Sequence, residues 1–303
     1  MKLTPLLKYG GWIVGSLFLL GLLSSSGLAY LLMASCKQPP IIIVPSTMAE
    51  PVKNTAKQTL NVMTINIAHG GKDGFSQLLQ SSDTIYANLN AIASVIRQAK
   101  PDIVALQEVD GPSFWSGGFS HIRYLISATG LEYAVRGQHV QGLNLSYGTA
   151  LLSKLPLQKA QSFRFALSPP SFPKGYVIAT INWPGKTDKL IDVVSLHLDF
   201  LRSSVREKQI KSLIKNLSNS QNHFIIMGDF NSDWKDSPLQ QLSQQMNLQA
   251  YQPTITDGLS TFPLTGRRLD WILISSELRF TQYKVLPDRL SDHLAVIAEL
   301  QID

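Results

Sequence analysis

The chain has 303 residues, 44% of them hydrophobic and 16% charged. That is too apolar for a disordered chain and long enough for one large domain with a substantial core. Its single cysteine, Cys36, excludes an intramolecular disulfide framework and a cysteine-based zinc site. Of the 27 basic and 21 acidic residues, residues 1–59 hold five lysines and only Glu50, leaving 22 basic and 20 acidic residues over 60–303. A body so near neutrality lacks the broad basic footprint of a tight, nonspecific DNA binder.

No charge interrupts the chain between Lys8 and Lys37. The 23 residues from Trp12 to Ala34 are dominated by Leu, Ile, Val, Phe, Gly and Ala, and about 20 such residues suffice for a helix to cross a bilayer. Lys2 and Lys8 favour the cytoplasmic side for the N-terminus, which places everything after residue 36 in the periplasmic or extracellular space. Two processed forms are alternatives: a cleaved secretory signal, and a lipoprotein modified at Cys36, since Met33-Ala34-Ser35-Cys36 has small residues before a lone cysteine. Residues 1–36 are therefore read as a membrane anchor or signal segment. Residues 37–59, with Pro39, Pro40, Pro45 and Pro51, are read as a linker. Within it, Ile41–Val44 suits a short edge strand or an extended tether.

Residues 60–303 form the body. Leu60 to Ile67 alternates with period two and predicts a strand. Asp83 is placed to cap a helix with Ile85, Leu89, Ile92 and Ile96 on one face, ended by Pro101. Further strands are predicted at 103–107, 147–153, 176–183, 190–197, 223–228, 269–274 and 293–300, and a helix at about 203–218. Many strands with few, separated helices point to an α/β sandwich rather than a doubly wound parallel sheet. No internal repeat or protein partner is evident.

Polar residues interrupt these apolar runs at strand ends. Asn66, Glu108 and His197 close three of them, Asp229 and Asn231 follow a fourth, and Asp270 and the pair Asp292-His293 precede two more. A carboxylate or imidazole at the end of a buried strand is costly unless it is paired, hydrated or bound to a metal. Taken singly, each has an ordinary reading as a loop carboxylate or a satisfied core histidine. As a set they suit chemistry. Glu108, Asp229 and Asp292 are hard oxygen donors, and with Asn66 they suit Mg²⁺ or Mn²⁺ beside a phosphate. His197 and His293 can donate to a phosphoryl oxygen, and Asp270 can orient one of them.

The segments TINIAHG (64–70), DIVALQEVD (102–110), YGTALLSKLPL (147–157), VSLHLD (194–199), IMGDFNSD (226–233), LDWIL (269–273) and SDHLAV (291–296) resemble, in order, the motifs of the endonuclease/exonuclease/phosphatase superfamily. That superfamily includes pancreatic deoxyribonuclease, apurinic endonucleases, neutral sphingomyelinases and inositol polyphosphate 5-phosphatases. The resemblance covers essentially all of residues 60–303. It implies a four-layer α/β/β/α sandwich of two mixed β-sheets. It also implies roles: Glu108 as principal metal ligand with Asn66 beside it and Asp292 in the same network, and Asp229 polarising the attacking water with Asn231 holding water or phosphate. His293 paired with Asp270 would contact the scissile phosphate, and His197 would stabilise the transition state. Which of Asp229 and His293 is the base stays open.

The substrate is less defined by these motifs, because one such core serves many phosphate esters. Phe114, Trp115 and Phe119, in the Gly-rich loop after Glu108, suit stacking on a base, holding a lipid or covering a sheet edge. Tyr147 suits a phosphate contact or packing. His69 follows the Asn66 strand and suits substrate contact or solvent. Arg267 and Arg268 adjoin Asp270, with Arg268 the candidate phosphate contact. The expectation is a membrane-anchored, Mg²⁺-dependent phosphodiesterase or phosphatase acting on nucleic acid or a phospholipid headgroup outside the cytoplasm. The alternative is a tethered, non-catalytic module that binds a phospho-ligand or a protein.

Overall fold

The computed structural model describes residues 41–44, 58–72, 80–253 and 258–302. The anchor segment over 12–34 and Cys36 lie outside the described residues. Among the described residues no helix is long and apolar enough to cross a membrane.

Two β-sheets stack face to face. The first has the order β1 (Ile41–Val44), β4 (Tyr133–Gly137), β6 (Leu145–Ser153), β3 (Ile103–Asp110), β2 (Thr59–Asn66), β14 (Val296–Ile302) and β13 (Leu278–Val285), with β5 (Val140–Gly142) also paired to β6. The second has the order β11 (Leu248–Ala250), β12 (Asp270–Ser275), β10 (His223–Asp229), β9 (Lys186–His197), β8 (Gly175–Trp183) and β7 (Gln158–Arg164). Each sheet is mixed: β2 and β3 run parallel in one, β9 and β10 in the other, and the remaining pairs are antiparallel. Helices α1 (Ser82–Ala99) and α2 (His121–Thr129) cover the outer face of the first sheet, and α3 (Ser203–Leu217) and α4 (Ser237–Gln245) that of the second. This is the four-layer α/β/β/α sandwich.

The alternation of each strand divides its residues between two cores. On β2, Leu60 and Val62 enter the layer between the sheets, while Met63 and Ile65 face α1. The inward set then changes character toward one end of the sandwich. Along β2 it runs Leu60, Val62, Thr64, Asn66; along β9 it runs Ile191, Val193, Ser195, His197; along β10 it runs Ile225, Met227, Asp229. The same parity on β12 brings Asp270 beyond Ile272 and Ile274. Period two thus converts four strands into one apolar layer with a polar end. Gln107 seals the transition, donating from Nε2 to Ser195 Oγ at 3.1 Å and to Thr64 Oγ1 at 3.3 Å.

The structure differs from the sequence expectations at several boundaries. Glu108 does not end its strand, because β3 continues to Asp110. The α1 cap is Ser81, whose Oγ accepts the Thr84 N–H at 3.2 Å, and Asp83 falls in the first turn. The last strand begins at Val296, so His293 lies in the preceding loop. Ile41–Val44 is an edge strand, pairing Ile41 with Gly137 and Val44 with Ala134. α2, α4, β4, β5, β7, β11 and β13 were not predicted; most are short or half-exposed, with no sustained apolar period.

Candidate active site

Adjacent strands deliver the polar end residues side by side. On parallel β9 and β10, His197 is the register partner of Asp229, and on antiparallel β10 and β12 Asp229 is the partner of Asp270. Side chains in register project from the same face, so His197, Asp229 and Asp270 form a row. The first sheet supplies Asn66 from across the gap, donating from Nδ2 to Asp229 Oδ2 at 3.1 Å. His293 joins from its loop, pinned where its backbone N–H donates to Ser291 Oγ at 2.9 Å and that hydroxyl donates to Asn66 O at 2.5 Å.

Asp229 is the hub. Its Oδ2 lies 3.4 Å from His197 Nε2 and 3.8 Å from His293 Nε2, and its Oδ1 accepts the Asn231 backbone N–H at 2.9 Å. Asn231 has a left-handed backbone, φ +50°, and its Nδ2 donates to Leu198 O at 3.1 Å. His293 Nδ1 is 2.7 Å from Asp270 Oδ2. Burial alone would lower the His293 pKa, yet Asp270 and Asp229 raise it to about 10. Burial and the nearby Asp270 charge push Asp229 up to about 6, against the attraction of His293. His293 is therefore cationic at neutral pH and Asp229 anionic.

Glu108 reaches the cleft through a β-bulge. Between the pairs Leu106–Ala150 and Val109–Gly148, β3 carries one residue more than β6. Strict alternation would turn Glu108 toward the helix-side core with Val104 and Leu106. The bulge, with Glu108 at φ +56°, turns it away and returns Val109 to that core. There the carboxylate meets Lys174 Nζ and His69 Nε2, both at 3.4 Å, and His197 Nδ1 at 4.0 Å. Burial would raise the Glu108 pKa, but His69, Lys174 and His197 hold it well below the usual carboxylate range.

Lys174 immediately precedes β8 and was not among the residues singled out in the sequence. Its Nζ lies 3.0 Å from His197 Nε2, and its side chain is 9% exposed. Burial and this cation hold the His197 pKa well below its ordinary value, so His197 is neutral. A lone lysine after a proline in a loop carries no sequence signal; only its burial identifies it.

His69 builds the opposite wall. It occupies a short 3₁₀ turn after β2 with left-handed φ +56°, and its Nδ1 is 2.6 Å from Asp110 Oδ1. Asp110 also accepts from Trp115 Nε1 at 2.7 Å and Ser116 Oγ at 2.5 Å. His69 is buried, not solvent-facing, and Tyr147 meets its ring edge-on at 4.7 Å. Burial opposes protonation of His69, but Asp110 and Glu108 raise its pKa. The Asp110 contribution was missed because the residue reads as the end of an ordinary strand.

These groups line one open cleft of about 420 Å³. Asn66, His69, Glu108, Trp115, Tyr147, His197, Asp229, Asn231, Asp292 and His293 all border it, with Lys174, Phe172, Phe200, Phe262 and Arg267. Asp270 stands behind His293. Arg268, expected to contact a phosphate, does not border the cleft. Its guanidinium lies over Trp271 at 3.8 Å and Tyr283 at 4.9 Å, and it donates to Tyr251 O and Tyr283 Oη. Two aromatic faces at the sheet edge capture it. The neighbouring Arg267 borders the cleft instead, paired to Asp233 at 2.7 Å and Asp236 at 3.6 Å. Phe119 also turns away, stacked on Tyr86 at 4.0 Å.

The oxygen donors suit a hard divalent cation. Partial burial, then the charges of Glu108 and Asp270, raise the pKa of Asp292 at the cleft rim. A divalent cation held by Glu108 and Asp292 would relieve that repulsion. Asp229, Asp270 and His293 also bring one ligand atom each within 4.8 Å of one another, but the His293 imidazole is already held protonated by the two aspartates.

The chain matches the model of the Endonuclease/Exonuclease/phosphatase family over residues 63–293, more than half its length. No curated protein sequence matches it. Solved structures similar in fold include an endonuclease/exonuclease/phosphatase from Beutenbergia cavernae, 20% identical, with a TM-score of 0.62 over 81% of this chain and 72% of that one. The human Nocturnin catalytic domain with bound sulfate is 16% identical, with a TM-score of 0.60 over 88% and 98%. D. rerio TDP2, humanized by 14 mutations, is 15% identical, with a TM-score of 0.60 over 81% and 100%.

Proposed function

The chain belongs to the endonuclease/exonuclease/phosphatase family, and on that premise we propose that it is a metal-dependent phosphodiesterase or phosphatase, anchored in a membrane with its catalytic domain outside the cytoplasm. The observation that carries the chemistry is the convergence on Asp229 of two imidazoles in opposite charge states, His197 neutral and His293 cationic.

Water attacks phosphorus, a P–O ester bond breaks, and the products are a phosphate monoester or free phosphate and an alcohol. Asp229, ionised at neutral pH yet as basic as a pKa of about 6 allows, accepts the proton of the attacking water. On this reading Asp229 is the base. His293, charged and held by Asp270, donates from Nε2 to a phosphoryl oxygen as negative charge accumulates. His197 and, just before β8, Lys174 would face the same phosphoryl group. Asn66 holds the Asp229 carboxylate in orientation through its Nδ2. Glu108, Asn66 and Asp292 would hold Mg²⁺, or Mn²⁺, which supplies Lewis-acid charge at the phosphoryl oxygens when bound.

The anchoring reading rests on the uncharged run from Trp12 to Ala34. The test of the chemistry is hydrolysis of bis(p-nitrophenyl) phosphate by the full chain with Mg²⁺, Mn²⁺ or EDTA. Asp229→Ala and His293→Ala are each expected to abolish the metal-dependent rate. An unchanged rate in either variant would overturn the assignment.

A further inference from the structure

We propose that the mouth of the cleft docks on the bilayer that holds the N-terminal segment, and that the phosphate ester cleaved is the headgroup phosphodiester of a membrane lipid. This rests on the hydrolase and anchoring readings above and names their substrate class.

The first observation is the distribution of apolar side chains. Among the described residues, six of the eight exposed large hydrophobics lie on three loop groups beside the cleft; the exceptions are Tyr86 and Leu167, which borders a separate groove with Arg202 and Val205. Phe114, 60% exposed, packs on cleft-lining Trp115, and its backbone N–H bonds Asn144 O beside the exposed Leu143. Phe172 and Phe200 line the cleft, and Leu201 follows. Leu264, 85% exposed, precedes cleft-lining Thr265. Exposed hydrophobics on a soluble surface are normally scattered; clustered around one opening, they mark an interaction surface.

The second observation is where the chain enters the domain. β1 runs antiparallel to β4 with Ile41 opposite Gly137, and β4 runs antiparallel to β6, whose Tyr147 is opposite Asp110. Ile41 therefore lies at the cleft end of the first sheet, and Val44 at the far end. Six residues, 35–40, separate Ala34 from Ile41. Fully extended they reach at most about 20 Å. Were Cys36 lipidated instead, the tether would be shorter still. Either anchor draws the cleft end, not the opposite end, to the membrane.

The third observation is charge. Lys174 is engaged with Glu108 and His197, and Arg267 with Asp233 and Asp236. Among the described residues the cleft thus presents no row of uncommitted cations for a polyanionic strand. Of the rim side chains, Phe114, Phe172 and Phe200 could stack on a base, but Leu143, Leu201 and Leu264 offer it no face, whereas lipid chains accept both kinds.

The test reconstitutes the full chain in vesicles of phosphatidylcholine with sphingomyelin. Wild type is compared with a variant combining Leu143→Ser, Leu201→Ser and Leu264→Ser, three exposed positions outside the cleft lining. With Mg²⁺, the variant is expected to lose roughly tenfold or more in vesicle-lipid hydrolysis, while bis(p-nitrophenyl) phosphate is hydrolysed as by wild type. Retained lipid hydrolysis in the variant overturns the proposal. So does cleavage of single-stranded DNA or RNA with the vesicle lipids untouched. Docking is read separately with an environment-sensitive fluorophore at Leu264→Cys, with Cys36 retained and the parent protein labelled in the same way as the blank, and with Ser276→Cys just beyond the opposite end of β12 as control. A blue shift with quenching by brominated lipid at 264 alone supports docking, and no shift at 264 overturns it. If wild type hydrolyses no phosphodiester, the hydrolase reading fails, and the fluorophore still decides the docking surface.

Discussion

Asp229 stands directly opposite Asp270 in the register of β10 and β12, so two buried carboxylates share the space beside one imidazole. They cannot both carry charge cheaply in a dry site unless a cation offsets them. His293 is that cation. Its Nδ1 is 2.7 Å from Asp270, and its pKa is raised to about 10 while that of Asp229 is raised to about 6.

The pH dependence of kcat/KM follows from this pair. Asp229 must be ionised to accept a proton, so the rate rises as pH passes through about 6. His293 must be charged to donate, so the rate falls as pH approaches about 10. Asp270→Asn removes the charge that raises His293. The alkaline limb is then expected to move to lower pH, with a rate loss of roughly 10²–10⁴-fold. A pH–rate profile with an unmoved alkaline limb would contradict the pairing.

Lys174→Met separates two effects of one cation. Lys174 lies 3.4 Å from Glu108 and competes for its carboxylate. Its removal is expected to tighten Mg²⁺ binding, read by calorimetry, while lowering kcat by roughly tenfold or more as the phosphoryl group loses a positive partner. Weakened metal binding together with an unchanged kcat would show that Lys174 does neither.

Acid stability offers a test that does not depend on turnover. Burial lowers the His139 pKa to about 3, whereas the unfolded imidazole titrates near about 6.5. Above pH ~6.5 this residue contributes no pH dependence. As pH falls from ~6.5 toward ~3, the unfolded chain binds a proton that the fold does not. Stability then drops by up to about 1.4 kcal/mol per pH unit. His139→Gln is expected to flatten the slope of unfolding free energy between pH ~6 and ~4 by about one proton. An unchanged slope would place the acid sensitivity elsewhere, with His121 and His197, whose pKa values burial also lowers.

Gly228→Ala tests the backbone beside Asp229. Gly228 has φ +149°, and an added Cβ would come within 2.0 Å of Leu196 O on β9. That contact is with backbone and cannot be relieved by a rotamer change. A loss of about 1–3 kcal/mol, or more, is expected, with a lower Tm and a displaced Asp229. A variant with the wild-type Tm and activity would mean that the strands separate without cost.

The polar set at the cleft was legible because it violates its surroundings. Asn66, His197, Asp229 and Asp270 interrupt apolar runs that are themselves strands, and the period-two pattern assigns them to the same face as the buried residues before them. Glu108 was legible as a residue but not as a geometry: alternation alone points it at the wrong core, and only the mismatch between β3 and β6 shows the bulge that turns it. Lys174 and Asp110 were not legible. Each has a common surface or strand-end identity in sequence and gains meaning only from the neighbours that bury it. The choice between Arg267 and Arg268 was equally closed, since adjacent arginines differ only in what each side chain meets: two carboxylates for one, the rings of Trp271 and Tyr283 for the other.

Strand periodicity and the identity of the strand-end residues thus determined, from sequence alone, the sandwich class, the polar end and most of the groups that line the cleft. The reason is that alternation and burial cost act locally along each strand. The charge states of His197 and His293, the aim of Glu108, the role of Lys174 and the orientation of the cleft toward the chain's entry point were decided only by tertiary structure. Those properties depend on the register between strands and on the stacking of two sheets, which bring together groups as far apart in the chain as Asn66 and Asp229.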